Sequence, residues 1–156
     1  MLDILIDDLK DIVSRRSEDT FVIKFEKKLE EIHATQNPAM ISKLLDIMDD
    51  KFEFDELMFS IIHTVESFDD FTYIQELFIS MPDFVLKSPR WASIIVMRII
   101  NSSQTLEVFL DTLEILSSKK KEVLKLLLNS MAKRGDEIEK RVTPVLNVLN
   151  NDNVSN

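Results

Sequence analysis

The sequence contains no cysteine. That absence excludes a disulfide framework, a thiolate nucleophile and a cysteine-based zinc site, and it suits a reducing cytosol. One glycine and four prolines in 156 residues leave little material for β-turns or long irregular loops. A lone glycine also cannot form the Gly-rich loop that cradles a phosphate. No GxSxG elbow occurs, and the serines stand mostly where helix caps are needed. Long apolar runs are missing too. The most apolar run, WASIIVM, is stopped by Arg98, far short of the ~18–20 residues of a membrane span. The N-terminal MLDILIDDLKDIV carries Asp3, Asp7, Asp8 and Asp11, unlike a signal peptide. These gaps predict a soluble, cytoplasmic protein that is not an enzyme and needs no cofactor, metal or small-molecule substrate.

Basic residues are scarce in one region. The formal net charge is −9. Residues 1–85 hold 20 acidic and 8 basic side chains, whereas residues 86–156 hold 8 and 11. Between positions 44 and 83 there are eleven carboxylates and one base, Lys51. Such a surface repels nucleic acid and anionic lipid and attracts a basic protein.

What is present is helical periodicity. In FEFDELMFSIIHTVESFDD, residues 52–70, the residues Phe54, Leu57, Met58, Ile61, Ile62 and Val65 recur at i, i+3, i+4, i+7, i+8 and i+11. Similar stripes predict helices from about 2–15 (Leu2, Leu5, Leu9, Ile12, Val13 inward) and from a Ser17 cap (Phe21, Phe25, Leu29, Ile32 inward). Asn37-Pro38 and Ser88-Pro89 read as N-cap and N1 of two more helices. The first has Met40, Ile41, Leu44, Leu45 and Met48 inward; the second, RWASIIVMRIIN, is apolar almost all round and is placed at the centre. Asp69 caps a helix ended by Pro82, and 83–87 is a linker or short turn. Ser103 or Thr105 opens the next helix, and Ser117 or Ser118 the one after it. Gly135 takes the αL position, and the last helix kinks or restarts at Thr143-Pro144. Helix starts lie 15 to 20 residues apart, or about 31 to 35 per pair, the range of helical-hairpin repeats, although no repeated signature is visible. The predicted fold is all-α: eight or nine short antiparallel helices stacked as hairpins, a HEAT-like solenoid or irregular bundle. It forms one domain over 1–150 with a polar disordered tail at 151–156.

The candidate chemistry is sparse. His33 pairs with Glu30 and His63 with Glu66 at i, i+3, but in opposite order and without a third ligand, so half-exposed histidines are the expectation, not a metal site. Lys119-Lys120-Lys121 begins a helix without interleaved aromatics and reads as a solvated helix start rather than a nucleic-acid patch. Arg98 is expected to pair with a carboxylate inside its apolar helix. Folding alone least explains the acidic cluster Asp49, Asp50, Glu53, Asp55 and Glu56, whose mutual repulsion a basic partner would offset. Phe59, His63, Glu66, Asp69 and Asp70 continue it as an adjoining ridge, with Phe52, Phe54 or Phe59 as an aromatic anchor.

The stretch DDKFEFDELMFSIIHTVESFDD, followed further on by KSPRWASIIVMRIIN, resembles the all-helical immunity proteins of bacterial polymorphic toxin systems, and within them immunity family thirty. The resemblance covers residues 44–101. It implies a bacterial cytoplasmic antitoxin whose gene lies beside that of a toxin, often a contact-dependent growth inhibition effector. Such a protein blocks its cognate toxin domain stoichiometrically, and many of those toxins are basic nucleases, including EndoU-type ribonucleases. SPRWA carries no catalytic signature and is read as a cap and core anchor. Two other readings share the same residues: a helical-repeat adaptor for a basic cytosolic partner, and a carboxylate-metal enzyme on His33 and His63.

Overall fold

The computed structural model describes residues 1–154, and side chains as far as 151. Among these residues there are ten helices and no strand. They are α1 (Leu2–Ser14), α2 (Phe21–Ala34), α3 (Met40–Ile47), α4 (Asp55–Glu66), α5 (Asp70–Ile79), α6 (Asp83–Lys87), α7 (Pro89–Ile100), α8 (Ser103–Leu113), α9 (Ser118–Ala132) and α10 (Asp136–Val154). The tenth helix beyond the expected nine is α6, a single short turn-and-a-half where a linker or turn was predicted. The chain groups into two compact units, Met1–Leu77 and Phe78–Asn156. The charge asymmetry follows this division: 19 acidic and 8 basic residues in the first unit, 9 and 11 in the second.

In the first unit, α1 packs on α2 and α3 on α4, while α1 also packs on α3 and α2 on α4. That is the two-layer pattern of stacked helical hairpins. The cross-layer register is regular. Ser60 on α4 reaches Glu26 on α2 (2.7 Å), and Ser67 after α4 reaches His33 on α2 (3.1 Å), each across 34 residues of chain. A constant offset at both ends means that α2 and α4 run in the same direction, as the second helices of successive hairpins. The core is the set of stripes the periodicity picks out: Phe25, Ile32, Met40, Ile41, Leu44, Leu45, Leu57, Ile61, Ile62 and Val65 are all sealed from solvent. Ion pairs link neighbouring helices, Lys43 of α3 to Asp3 of α1 (2.9 Å) and Lys28 of α2 to Asp8 of α1 (3.5 Å), while Lys28 also pairs with Glu31 within α2 (2.8 Å).

In the second unit the pattern recurs: α7 packs on α8 and α9 on α10, with α7 on α9 and α8 on α10. Pro89 occupies the first turn of α7 as expected, and Trp91 behind it is fully buried. The short α6 lies against α7 and α9. Phe78 and Phe109 stack with centroids 5.3 Å apart. Ser117 caps α9 by accepting from the Lys120 N–H (3.3 Å).

Several expectations are corrected. On α1 the buried residues are Leu2, Ile6 and Leu9, so the stripe is rotated from the predicted Leu5, Ile12 and Val13, which are only half-buried. The cap of α2 is Thr20, not Ser17. Asn37-Pro38 forms a turn, with the Asn37 Oδ1 accepting from the Ala39 N–H (3.0 Å), and α3 begins two residues later. Within the stretch 52–70 the helix spans Asp55–Glu66, and Phe52 and Phe54 before it fold back onto Phe21. Arg98 is exposed, so α7 keeps a polar edge and the buried-charge argument lapses. Gly135 takes φ +158°, not the αL value of about +57°. Pro144 is accommodated inside an unbroken α10, which continues through Val154 across the start of the expected tail. Residues 155 and 156 lie outside the described residues. Among the described residues no helix is long and apolar enough to cross a membrane.

Candidate functional site

In the structure the predicted acidic site falls into two groups that share Glu56. Members of the first have local folding work. Asp49 Oδ1 accepts from the Lys51 N–H (2.9 Å) and shapes the turn after α3. Glu53 pairs with Arg16 (2.9 Å), whose guanidinium also lies 5.6 Å from the centroid of Phe52. Asp55 and Glu56 occupy the first turn of α4, and Asp70 that of α5, where the helix dipole favours negative charge. Asp69 caps α5, accepting from the Thr72 N–H (3.0 Å) and hydroxyl (2.8 Å). Those two donors hold its carboxyl below the ordinary carboxylate value. Asp50 is half-buried in the same turn. Much of the repulsion in the cluster is thus offset within the chain itself. Phe52 is buried and Phe54 half-buried in an aromatic group with Phe21 and Phe25, so neither stands out as an anchor.

The second group lies on the outward side of α4: Glu56, Phe59, Ser60, His63 and Glu66. Here the structure adds what the sequence hid. Because α2 lies alongside α4 in a parallel register, its own polar side faces the same way. Glu26, Glu30 and His33 of α2 join Ser60, His63 and Thr64 of α4 around a cavity of about 210 Å3 floored by Leu29. The hydrogen bonds in it are directional. Ser60 Oγ donates to Glu26 Oε1 across the cavity (2.7 Å), the shorter of its two contacts, with the Glu56 carbonyl 3.1 Å away as a second acceptor, so its one proton is used within the protein. Thr64 donates to the Ser60 carbonyl (2.8 Å) and Ser67 to the Thr64 carbonyl (2.6 Å). With the Ser67 proton so used, His33 Nε2–H is the donor in the 3.1 Å contact between them, which leaves Nδ1 of the neutral ring as an acceptor. Among the described residues, no lysine or arginine pairs with Glu26 or Glu30.

The metal reading gains proximity but not geometry. Glu30, His33 and His63 line one cavity, yet Glu66 does not, and among the described residues no three His, Asp or Glu side chains converge as a metal ion requires. The arrangement is an open, acceptor-rich, acidic surface.

A family model described as Immunity protein 30 matches residues 13–109, which contain α2 to α7 entire and the first part of α8. The chain belongs to the immunity protein 30 family. No curated protein and no solved structure matches it. The match to Immunity protein 30 is wider than the resemblance at 44–101 and takes in α2 together with α4, hence both walls of the cavity. Helices α9 and α10 lie beyond it. As a member of an immunity protein family, the chain has a protein toxin as its partner.

Proposed function

We propose that this chain neutralises a cognate toxin domain in the cytoplasm of the bacterium that makes both, by binding it one-to-one and covering its active site or substrate path. The toxin is a basic nuclease, with an EndoU-type ribonuclease the class the resemblance implies. No catalysis and no cofactor are needed, since occlusion is a binding function. The observation that carries this reading is the concentration of acidic side chains in the unit that lies wholly within or next to the family match, with an exposed carboxylate-lined face on α2 and α4. An acidic face steers a basic partner onto itself and presents carboxylates to its lysines and arginines. The contact surface of the proposal is Glu26, Glu30, Glu56, Phe59, His63 and Glu66, with Asp49, Asp50, Glu53, Asp55, Asp69 and Asp70 as a charged rim. The stacked-hairpin architecture also suits an adaptor for some other basic protein.

Coexpression with the toxic domain encoded beside it separates the two. The expected outcome is restored growth and a stable one-to-one complex on co-purification. A toxin that still kills, with no complex recovered, would contradict the immunity reading and leave the adaptor.

A further inference from the structure

We infer that the cavity between α2 and α4 is a socket for one arginine side chain of a bound protein. The inference rests on the immunity reading for which protein carries that arginine, but not for the chemistry of the socket.

Three observations lead to a guanidinium. The first is charge. Glu26 and Glu30 stand one turn apart on α2, at the i, i+4 spacing that brings side chains about 5–6 Å from one another at Cβ, and among the described residues no lysine or arginine pairs with either. The second is hydrogen-bond polarity. The hydroxyl protons of Ser60, Thr64 and Ser67 are all used within the protein, and the His33 Nε2–H is used on Ser67. What remains around the cavity is the carboxylate oxygens of Glu26 and Glu30, the free His33 ring nitrogen and the exposed His63 ring, whose N–H is the one donor against several acceptors. Arginine carries five donors and no acceptor, in a planar fork that suits carboxylates. A lysine ammonium is a compact, more strongly hydrated point charge and matches a split pair of carboxylates less well.

The third observation is size and preorganisation. A volume of about 210 Å3 holds several waters at roughly 30 Å3 each, so the cavity is wet and a planar cation can take their place. The bond from Ser60 holds the Glu26 carboxylate in position before anything binds, which lowers the ordering cost of binding. Leu29 beneath supplies an apolar floor for the aliphatic stem. Both walls come from the repeated 34-residue register, so the socket is a product of hairpin stacking.

The test uses the chain alone. N-acetyl-arginine methylamide is titrated into labelled protein and followed by NMR, beside the neutral citrulline analogue of the same shape. The expected result is saturable shifts confined to residues 26–33 and 60–67. The citrulline analogue should bind about tenfold more weakly, the difference one charge-assisted hydrogen bond makes. Glu26→Gln with Glu30→Gln should remove the response while leaving the rest of the spectrum in place, since glutamine keeps the shape and the acceptor for Ser60. Equal binding of both analogues, or shifts spread over remote carboxylates such as Asp136 and Glu137, would overturn the socket. That failure would leave the immunity reading intact, because coexpression rescue does not depend on where an arginine docks. Conversely, loss of rescue with a normal titration would remove the toxin and keep the socket.

Discussion

Replacing Glu26, Glu30 and Glu56 together by lysine should slow association with the toxin domain by about 100-fold and abolish protection at ordinary expression levels. The three side chains share the outward face of α2 and α4, and two of them line the cavity there. Electrostatic steering of a basic partner raises on-rates by about 10- to 1000-fold over a neutral surface. Reversal converts attraction into repulsion at the centre of the face, so the loss should fall on the association rate and shrink as salt is raised. Stopped-flow association at two ionic strengths reads both effects. None of the three packs in the core, and only Glu56, in the first turn of α4, gives up a favourable helix-end charge on reversal, so the variant should keep nearly all of its helical content. Unchanged protection in this variant would place the toxin elsewhere on the chain. Reversal of Asp49 or Asp69 is a poorer experiment. Asp49 holds a turn and Asp69 caps α5, so a loss there would mix folding with binding.

The largest effect on stability is expected at the other end of the family match. Trp91 is fully buried at the start of α7, with the Arg90 guanidinium 4.7 Å from its ring. Truncation of a buried tryptophan to alanine costs about 3–5 kcal/mol, a large part of the roughly 5–15 kcal/mol that holds a domain folded. Trp91→Ala should therefore lower the melting temperature by on the order of 10 °C. Far-UV circular dichroism during urea unfolding measures it, since the substitution removes the one tryptophan that fluorescence would follow. A loss below about 1 kcal/mol would mean that SPRWA is held for some purpose other than packing. The expected result makes this motif a helix start and core anchor, distinct from the binding face.

The helices were legible because their stripes are unambiguous where polar residues frame them. In α9, Val123, Leu124, Leu127, Leu128 and Met131 are all buried as the spacing requires. In α1 the apolar residues are too many: Leu2, Ile4, Leu5, Ile6 and Leu9 allow two stripes, and packing chose the one through Ile6 while leaving Ile4 exposed. Residues 83–87 are too short to show a period, and Pro82 and Pro89 on either side make them look like a connection. The site was half legible. The outward side of α4 follows from its own spacing, but the carboxylates of α2 enter through a register set by packing 34 residues away. The hairpin spacing of about 31 to 35 residues contained that signal. Adding 34 to Glu26, Leu29 and Glu30 lands on Ser60, His63 and Thr64, the residues that line the opposite wall. At the acidic turn from Asp49 to Glu56 the local partners were hidden for a different reason. Composition counts its carboxylates but does not show Arg16 arriving from α1's end to Glu53, or the Lys51 N–H donating to Asp49.

On the proposed function the toxin docks on the α2–α4 face. Amide hydrogen exchange of the chain, free and in complex with the toxin domain encoded beside it, tests this most directly. Toxin docked there should add protection in residues 22–33 and 55–67 and leave α9 and α10 little changed. Protection confined to α9 and α10, with α2 and α4 exchanging as in the free chain, would contradict it.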